Sequence, residues 1–345
     1  MAIIEKAPSA IFKDTKPHCY LLDGLRGIAA LLVLWYHVFE GYQFAGNQPI
    51  IKGINHGYLA VDFFFILSGF VISYAYDDRI RNTITLKNFF KRRLIRLHPM
   101  VIIGAVIGAV TFIIQGSVRW DGTHVATSAV MVALLCAMFF IPAVPGASNE
   151  VRGNGEMFPL NGPSWSLFFE YIGNIMYALF ICSMSKKALR ILTIFLGLML
   201  CAFTLSDFSG YGCLSVGWTL NGVNFIGGLL RMLFPFSLGM LIHRNFKPLK
   251  IGGAFWICSI VLLLLFFVPF IPGVKPLCFN GLYEMFCIAI VFPLLAWLIR
   301  NKYYTFGETW QVAICLVIIN VILAYVCLKF YDEPVRKWLA KRFLN

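Results

Sequence analysis

The stretch Leu25-Arg26-Gly27-Ile28-Ala29-Ala30-Leu31-Leu32-Val33-Leu34-Trp35-Tyr36-His37 carries two ionisable side chains in an otherwise apolar run. If it is helical, the spacing returns His37 to within about 20° of Arg26 and places it about 16 Å further along the axis. An ionisable group inside an apolar span is costly and usually faces a bundle interior or a watery cavity. The pair therefore predicts a site that runs lengthwise through a membrane.

The composition indicates a membrane protein throughout. Of the 345 residues, 59% are hydrophobic and 13% are charged. Apolar segments of spanning length recur from end to end, which predicts an all-α integral membrane protein: a single-domain bundle of about ten transmembrane helices over residues 1–345. The predicted spans are 21–42, 58–76, 97–115, 124–144, 164–184, 188–206, 220–243, 252–272, 281–299 and 311–331.

The net charge of +13 comes from cations in short loops between these segments. The positive-inside rule produces this distribution, so we expect no nucleic-acid partner. It also places the terminal segments 1–20 and 332–345 in the cytoplasm. The first apolar stretch lacks a small-residue cleavage site and is predicted to be a retained helix.

The ten cysteines lack the spacing of metal ligands, and no metal site is predicted. Most of them lie in apolar spans, where Cys acts as a small hydrophobic residue. Cys213 and Cys278 fall in loops on the outer side. A disulfide between them and two unpaired thiols are both compatible with the sequence.

The number of spans between two cytoplasmic clusters must be even, and three apolar segments lie between Arg96 and Lys186. Either one of them does not cross, or a re-entrant segment lies within 116–163. Non-helical backbone at membrane depth is tolerated only where it lines a cavity or is buried in protein.

The interval between Lys302 and Lys329 also contains an odd number of spans, since only one lies there. Either the C-terminus lies outside despite its cations, or a helix is absent near Gly307-Glu308-Thr309. We favour the absent helix.

The run Lys91-Arg92-Arg93-Leu94-Ile95-Arg96 places four cations just before an apolar span. Arg92 and Arg96 are four apart and share a helix face, with Arg93 displaced by one position. Ordinary positive-inside flanking would explain such a run. Its density and the preference for arginine over lysine favour a phosphate-rich ligand that approaches from the cytoplasm.

The carboxylates Asp62 and Glu170 lie within apolar segments. Asp62 is near the outer end of its span, where an aspartate at the membrane interface is the alternative. Ser68 and the following glycine are small enough to admit a helix or a ligand. Glu170 shares a helix face with Ser166. Since Glu170 has no cation beside it in sequence, it should pair with a distant cation, be held protonated or be functional.

Together these segments resemble the acyltransferase 3 family of integral membrane acyltransferases. The matching stretches are Leu22 to Ala30 followed by His37 (the family's Arg-x10-His pattern), Val61 to Phe70, Phe89 to Pro99, Pro163 to Glu170 and, more loosely, Tyr331 to Leu339. The family's helix with a Tyr-x-Leu-Tyr-x-x-His opening is missing before the last span. The even-number rule for spans independently requires one more helix at the same place.

Members of this family move an acyl group, commonly acetyl from acetyl-CoA, onto hydroxyls of surface carbohydrates or other acceptors. The resemblance implies an O-acyltransferase of the bacterial inner membrane, in the stand-alone form without an added hydrolase domain. Its implied partners are acyl-CoA as donor, a carbohydrate or glycoconjugate acceptor, and membrane lipids. The identity of the acceptor and the oligomeric state stay open.

The residues predicted to bind acyl-CoA phosphates at the cytoplasmic mouth are Arg92, Arg93, Arg96 and Arg26, the last held in place by Asp23. His37 would take the proton of the acceptor hydroxyl. Glu170 would orient His37 or stabilise its imidazolium, and Asp62 would lie on the path of the acceptor. The residues predicted to contact substrate are Ser68, Trp165 and Ser166.

Direct transfer and an acyl-His37 intermediate both fit these residues. The alternative class of protein is a transporter that moves an acyl group or a lipid-linked sugar without transferase chemistry. Polar residues buried in a helical bundle are compatible with that class too.

Overall fold

The computed structural model describes residues 20–45, 56–245, 254–266, 268, 279–295, 318, 321–322 and 324–343. This part of the chain is helical and contains no strand, with two isolated bridges that join Val118 to His124 and Glu156 to Thr219. The all-α prediction is confirmed for it. The absent helix near Gly307-Glu308-Thr309, the disulfide partner Cys278 and most of the cytoplasmic segment 1–20 lie outside the described residues.

The described helices are α1 Tyr20–Ala45, α2 Ala60–Asn82, α3 Leu86–Ile114, α4 Thr127–Met138, α5 Ser164–Leu179, α6 Lys186–Leu205, α7 Gly222–Asn245, α8 Ala254–Phe266, α9 Phe279–Phe286, α10 Phe292–Leu295 and α11 Glu333–Phe343. Short 3-10 turns stand at Gly57–Leu59 and Ile181–Ser183, and π-helical turns at Cys287–Val291 and Leu328–Asp332. The side chains of Thr85 and Ser185 cap α3 and α6, where each accepts a hydrogen bond from a first-turn backbone N–H.

Four helices of the described part are long and apolar enough to cross a membrane: Gly57–Asn82, Leu86–Ile114, Lys186–Leu205 and Gly222–Asn245. Shorter apolar helices cover Leu25–His37, Thr127–Met138, Trp256–Phe266 and Asn280–Val291. These eight segments coincide with eight of the predicted spans. The total of about ten stays a prediction.

The segment 116–163 contains one short helix and a long irregular stretch. The twelve residues of α4 reach about 18 Å, less than the roughly 30 Å of a bilayer core. The predicted segment 124–144 is therefore helical over Thr127–Met138 only: α4 ends at Met138, because Phe140 has φ +58° and Pro142 follows.

The irregular stretch after α4 packs closely against the bundle. Met157, Phe158 and Leu160 are buried. The Met157 carbonyl oxygen accepts a hydrogen bond from the Ala143 N–H at 2.7 Å, and the Met157 N–H donates to the Trp218 carbonyl oxygen at 2.8 Å. A Cβ on Gly108 of α3 would lie 1.7 Å from the Leu160 carbonyl oxygen. Buried irregular backbone of this kind is what a re-entrant segment requires, and re-entry itself stays a prediction.

Among the described helices, α2 and α7 pack closely against each other. A Cβ on Gly69 of α2 would lie 1.9 Å from the Phe236 carbonyl oxygen, and a Cβ on Gly239 of α7 would lie 2.0 Å from that of Ile66. The two backbones therefore touch at two points, as small residues allow in membrane helix pairs. This contact fixes the position of α2 relative to α7.

Replacing Gly69 with alanine should push α2 away from α7, since the atom that the new methyl group meets belongs to backbone. We expect the free energy of unfolding in detergent to fall by about 1–3 kcal/mol. The control is Gly27→Ala on α1, where a Cβ meets nothing within 4 Å. That substitution should be neutral or stabilising, because alanine favours the helix. Equal stability of the two variants would contradict the close α2–α7 contact.

Candidate active site

A cavity of about 260 Å³ opens between α1, α2, α3 and α5. Its polar lining consists of Arg26, Ser68, Arg93, Arg96, Ser166 and Glu170. The apolar lining consists of Val61, Phe64, Phe65, Val71, Leu97 and Leu167. The fold thus brings together, from four helices, six of the side chains that the sequence singled out.

Glu170 is the polar centre of this cavity. Its Oε1 accepts hydrogen bonds from Arg93 Nη2 at 3.0 Å and from Ser68 Oγ at 2.9 Å. One carboxylate oxygen therefore ties α5 to both α2 and α3. The distant cation that Glu170 was expected to need is Arg93. The expectation that Glu170 orients His37 stays a prediction.

Arg93 is almost buried, with 8% of its side chain exposed. Its Nη2 is held by Glu170, while its Nε has no hydrogen-bond partner among the described residues. Buried donors are normally paired. A nearly buried guanidinium that lines a cavity with one donor unused is suited to bind an oxygen of a ligand.

The three arginines predicted to bind phosphate on α3 are placed differently with respect to the cavity. Arg93 and Arg96, three residues apart, line the cavity, and Arg92 does not. Both spacings of three and four bring helix side chains together, so the rotation of α3 about its axis decides which arginine faces inwards. Arg96 is exposed, whereas Arg93 lies deep between the helices.

Arg26 and His37 lie on one unbroken helix, as predicted, because α1 runs from Tyr20 to Ala45. Arg26 lines the cavity and His37 does not. The His37 ring is exposed and packs edge-on against Tyr36, with 5.2 Å between ring centroids. The cavity thus surrounds the Arg26 end of the predicted site, about three helical turns from His37.

Asp62 lies outside the cavity, in a buried ion pair with Arg231 of α7. Arg231 Nε donates to both carboxylate oxygens at 2.9 and 3.1 Å, and Nη2 donates to Oδ2 at 2.8 Å. The remaining guanidinium bonds reach the carbonyl oxygens of Val216 and Tyr58 at 3.1 and 2.8 Å. Asp62 has no exposed surface and both of its oxygens are engaged, so it joins α2 to α7 in this structure. Its predicted catalytic role stays a prediction.

The remaining predicted residues divide in the same way. Ser166 lines the cavity and donates to the Pro163 carbonyl oxygen at 2.9 Å. Trp165 does not line it. Its ring packs against the Arg231 guanidinium, 5.3 Å from the ring centroid, so it supports the ion pair instead of contacting the cavity. Asp23 falls within α1, but its side chain lies outside the described part of the structure.

Sequence reasoning missed Arg231 and a second buried carboxylate, Glu284. Glu284 is fully buried and accepts hydrogen bonds from the Tyr58 hydroxyl and, at 2.9 Å, from the Leu214 backbone N–H. Both residues lie within predicted apolar spans, so the cost of an ionisable group in such a span was the signal that could have found them. The need of Asp62 for a counter-ion pointed to Arg231 as well.

The cavity combines three guanidinium groups with one carboxylate and an apolar wall, which suits an anionic ligand with an apolar extension. Its volume is below the roughly 300–1,000 Å³ of pockets that bury a drug-sized molecule. A ligand much larger than that would place only a part of itself here. No group of three or more His, Cys, Asp or Glu side chains that could hold a metal ion occurs among the described residues.

The chain matches an acyltransferase domain model over residues 20–332. It is similar to "Protein 2 in picA locus" of Rhizobium radiobacter, with 37% identity over 46% of this chain and 80% of that protein. It is also similar to "Acyltransferase MdmB" of Streptomyces mycarofaciens, with 28% identity over 64% of this chain. A provisionally named O-acetyltransferase of Staphylococcus aureus (strain COL) is 39% identical over 27% of this chain.

The match covers 56% of the Streptomyces protein and 14% of the staphylococcal one. No solved structure matches this chain.

The ion pair between Asp62 and Arg231 predicts a large stability effect. Arg231→Met should leave a buried carboxylate without its counter-ion and lower the free energy of unfolding by about 3–5 kcal/mol. The double variant Asp62→Leu with Arg231→Met removes both charges and should recover part of that loss.

Glu333→Gln is the control, because it breaks an exposed pair with Lys329. Its expected cost is below about 1 kcal/mol. Thermal or chemical unfolding in detergent measures all three variants. If Arg231→Met cost no more than this control, the buried pair would not support the fold.

Proposed function

The chain belongs to the acyltransferase 3 family, and on that premise we propose that it moves an acyl group, acetyl as the expected case, from cytoplasmic acyl-CoA to a hydroxyl of an extracytoplasmic carbohydrate or glycoconjugate. The observation that carries this proposal is the convergence of Arg26, Arg93 and Arg96 on one cavity. Guanidinium groups bind phosphate through paired, charge-assisted hydrogen bonds.

In this proposal the cavity takes the phosphates and the adjoining part of the donor. The unused Nε of Arg93 provides one donor, and Arg26 and Arg96 provide the others. The apolar wall formed by Phe64, Phe65 and Leu97 accommodates the chain that follows the phosphates.

The separation of Arg26 from His37 supports a donor that lies along α1. About 16 Å of helix divides the two residues, so a ligand anchored at Arg26 must be extended to bring its reacting end to His37. The pantetheine arm of CoA is such an extension. The small volume of the cavity also favours a ligand of which only one part binds here.

His37 is the proposed general base. It takes the proton of the acceptor hydroxyl as the oxygen attacks the thioester carbonyl, the carbon–sulfur bond breaks, and the proton passes to the departing thiolate of CoA. The exposure of the His37 ring is compatible with access for an acceptor. A transient acyl-His37 remains an alternative route for the same overall transfer.

Substitutions of Arg26 and of His37 should have separate effects on donor binding and on acyl transfer. Arg26→Ala should weaken binding of CoA to the purified protein about tenfold or more, because a charge-assisted hydrogen bond is lost. His37→Ala should leave CoA binding nearly unchanged and lower acyl transfer by about 10²–10⁴-fold. Calorimetry with CoA measures the first effect, and mass spectrometry of surface glycans from cells that carry each variant measures the second.

The matched control is Arg190→Ala, which removes an exposed arginine of α6 outside the cavity. It should change neither quantity. Full transfer by purified His37→Ala protein would overturn the role of His37. A transporter without transferase chemistry would release no free CoA thiol when supplied with acetyl-CoA and a glycan acceptor identified in that way.

A further inference from the structure

The C-terminal helix α11 has two different faces. Ala340 is fully buried, and the helix lies against α3, where Lys91 Nζ donates to the Phe343 carbonyl oxygen. The acidic residues that precede and open the helix are engaged locally, since Asp332 pairs with Arg336 and Glu333 with Lys329. These contacts fix which side of α11 faces away from the bundle.

The outward face carries one tryptophan among three cations. Lys337, Trp338, Lys341 and Arg342 are all exposed and fall within an arc of about 140° around the helix axis. The Arg342 guanidinium lies 6.0 Å from the Trp338 ring centroid. We call these four residues the outer face of α11.

A protein core does not explain this face, because the side chains point away from the described bundle. Tryptophan with flanking lysine and arginine is typical of helices that lie in a membrane interface, with the ring at headgroup level and the cations near lipid phosphates. The helix also packs against the N-terminal part of α3, beside the basic run Lys91-Arg92-Arg93. The positive-inside rule places that end at the cytoplasmic surface.

We propose that the outer face of α11 binds anionic phospholipid, such as phosphatidylglycerol, in the cytoplasmic leaflet. The three cations contact the headgroup phosphates, and the Trp338 ring sits between headgroups and acyl chains. Charge complementarity favours this partner for the outer face of α11, since anionic lipids attract juxtamembrane basic segments. The inference does not depend on acyl transfer.

The test uses the full-length protein in vesicles of equal parts phosphatidylcholine and phosphatidylglycerol. Bromine on the acyl chains of one lipid or the other quenches nearby tryptophan. The part of the quenching that belongs to Trp338 is the difference between the unmodified protein and Trp338→Phe. We expect brominated phosphatidylglycerol to quench Trp338 about twofold more than brominated phosphatidylcholine, and added salt to reduce this preference.

The variant Lys337→Gln/Lys341→Gln/Arg342→Gln should abolish the preference and leave Trp338 in place. Its matched control is Lys186→Gln/Lys187→Gln/Arg190→Gln, which removes two lysines and one arginine from exposed positions of α6. The control should retain the full preference.

Three results would overturn the proposal. Equal quenching by the two lipids would show that no anionic lipid gathers at α11. Loss of the preference in the control variant would show an effect of net charge alone. No quenching of Trp338 by either lipid would place the outer face away from the membrane.

Discussion

The ion pair between Arg231 and Asp62 is the constraint on which the arrangement around the cavity depends. A guanidinium with 1% exposure is tolerable only because Asp62 and two backbone carbonyl oxygens accept its hydrogen bonds. The pair bridges α2 and α7, whose backbones also touch about two turns away, at Gly69 and Gly239. Together these contacts set the distance and the rotation of α2. Once α2 is set, one of its faces lines the cavity with Val61, Phe64, Phe65, Ser68 and Val71.

A second polar contact, at Glu170, joins three of the helices that surround the cavity. Glu170 receives Ser68 from α2 and Arg93 from α3 on the same oxygen, so three helices meet at one atom. Because Ser68 lies on the α2 that Arg231 holds, the two ion pairs are linked through one helix. The Asp62–Arg231 pair is buried and holds α2 and α7 together. The Glu170–Arg93 pair lines the cavity and leaves the Arg93 Nε available to a ligand.

The sequence was a better guide to the polar residues of the cavity and the ion pairs than to the partners of those residues. An ionisable side chain in an apolar span is costly wherever it occurs, so Arg26, Asp62 and Glu170 stand out locally. Their partners are remote: Asp62 meets a residue 169 positions away, and Glu170 one 77 positions away. No local pattern encodes such a pairing. The choice between Arg92 and Arg93 is of the same kind, since it depends on the rotation of α3 against its neighbours. The all-α class followed from the hydropathy of the sequence. The end of α4 at Met138 did not, because it depends on the left-handed backbone conformation of Phe140.

The pairing of Glu170 with Arg93 also has a physical reason within the proposed function. Three guanidinium groups without a counter-charge in a cavity between apolar helices would be costly when no ligand is bound. Glu170 offsets part of that charge, yet it occupies only one edge of Arg93 and leaves Nε unused. A ligand phosphate can therefore join the cluster without displacing the carboxylate. Under the proposed function, Glu170 therefore belongs to the donor-binding end of the site, beside Arg26, and a general base at His37 would draw on groups further along α1.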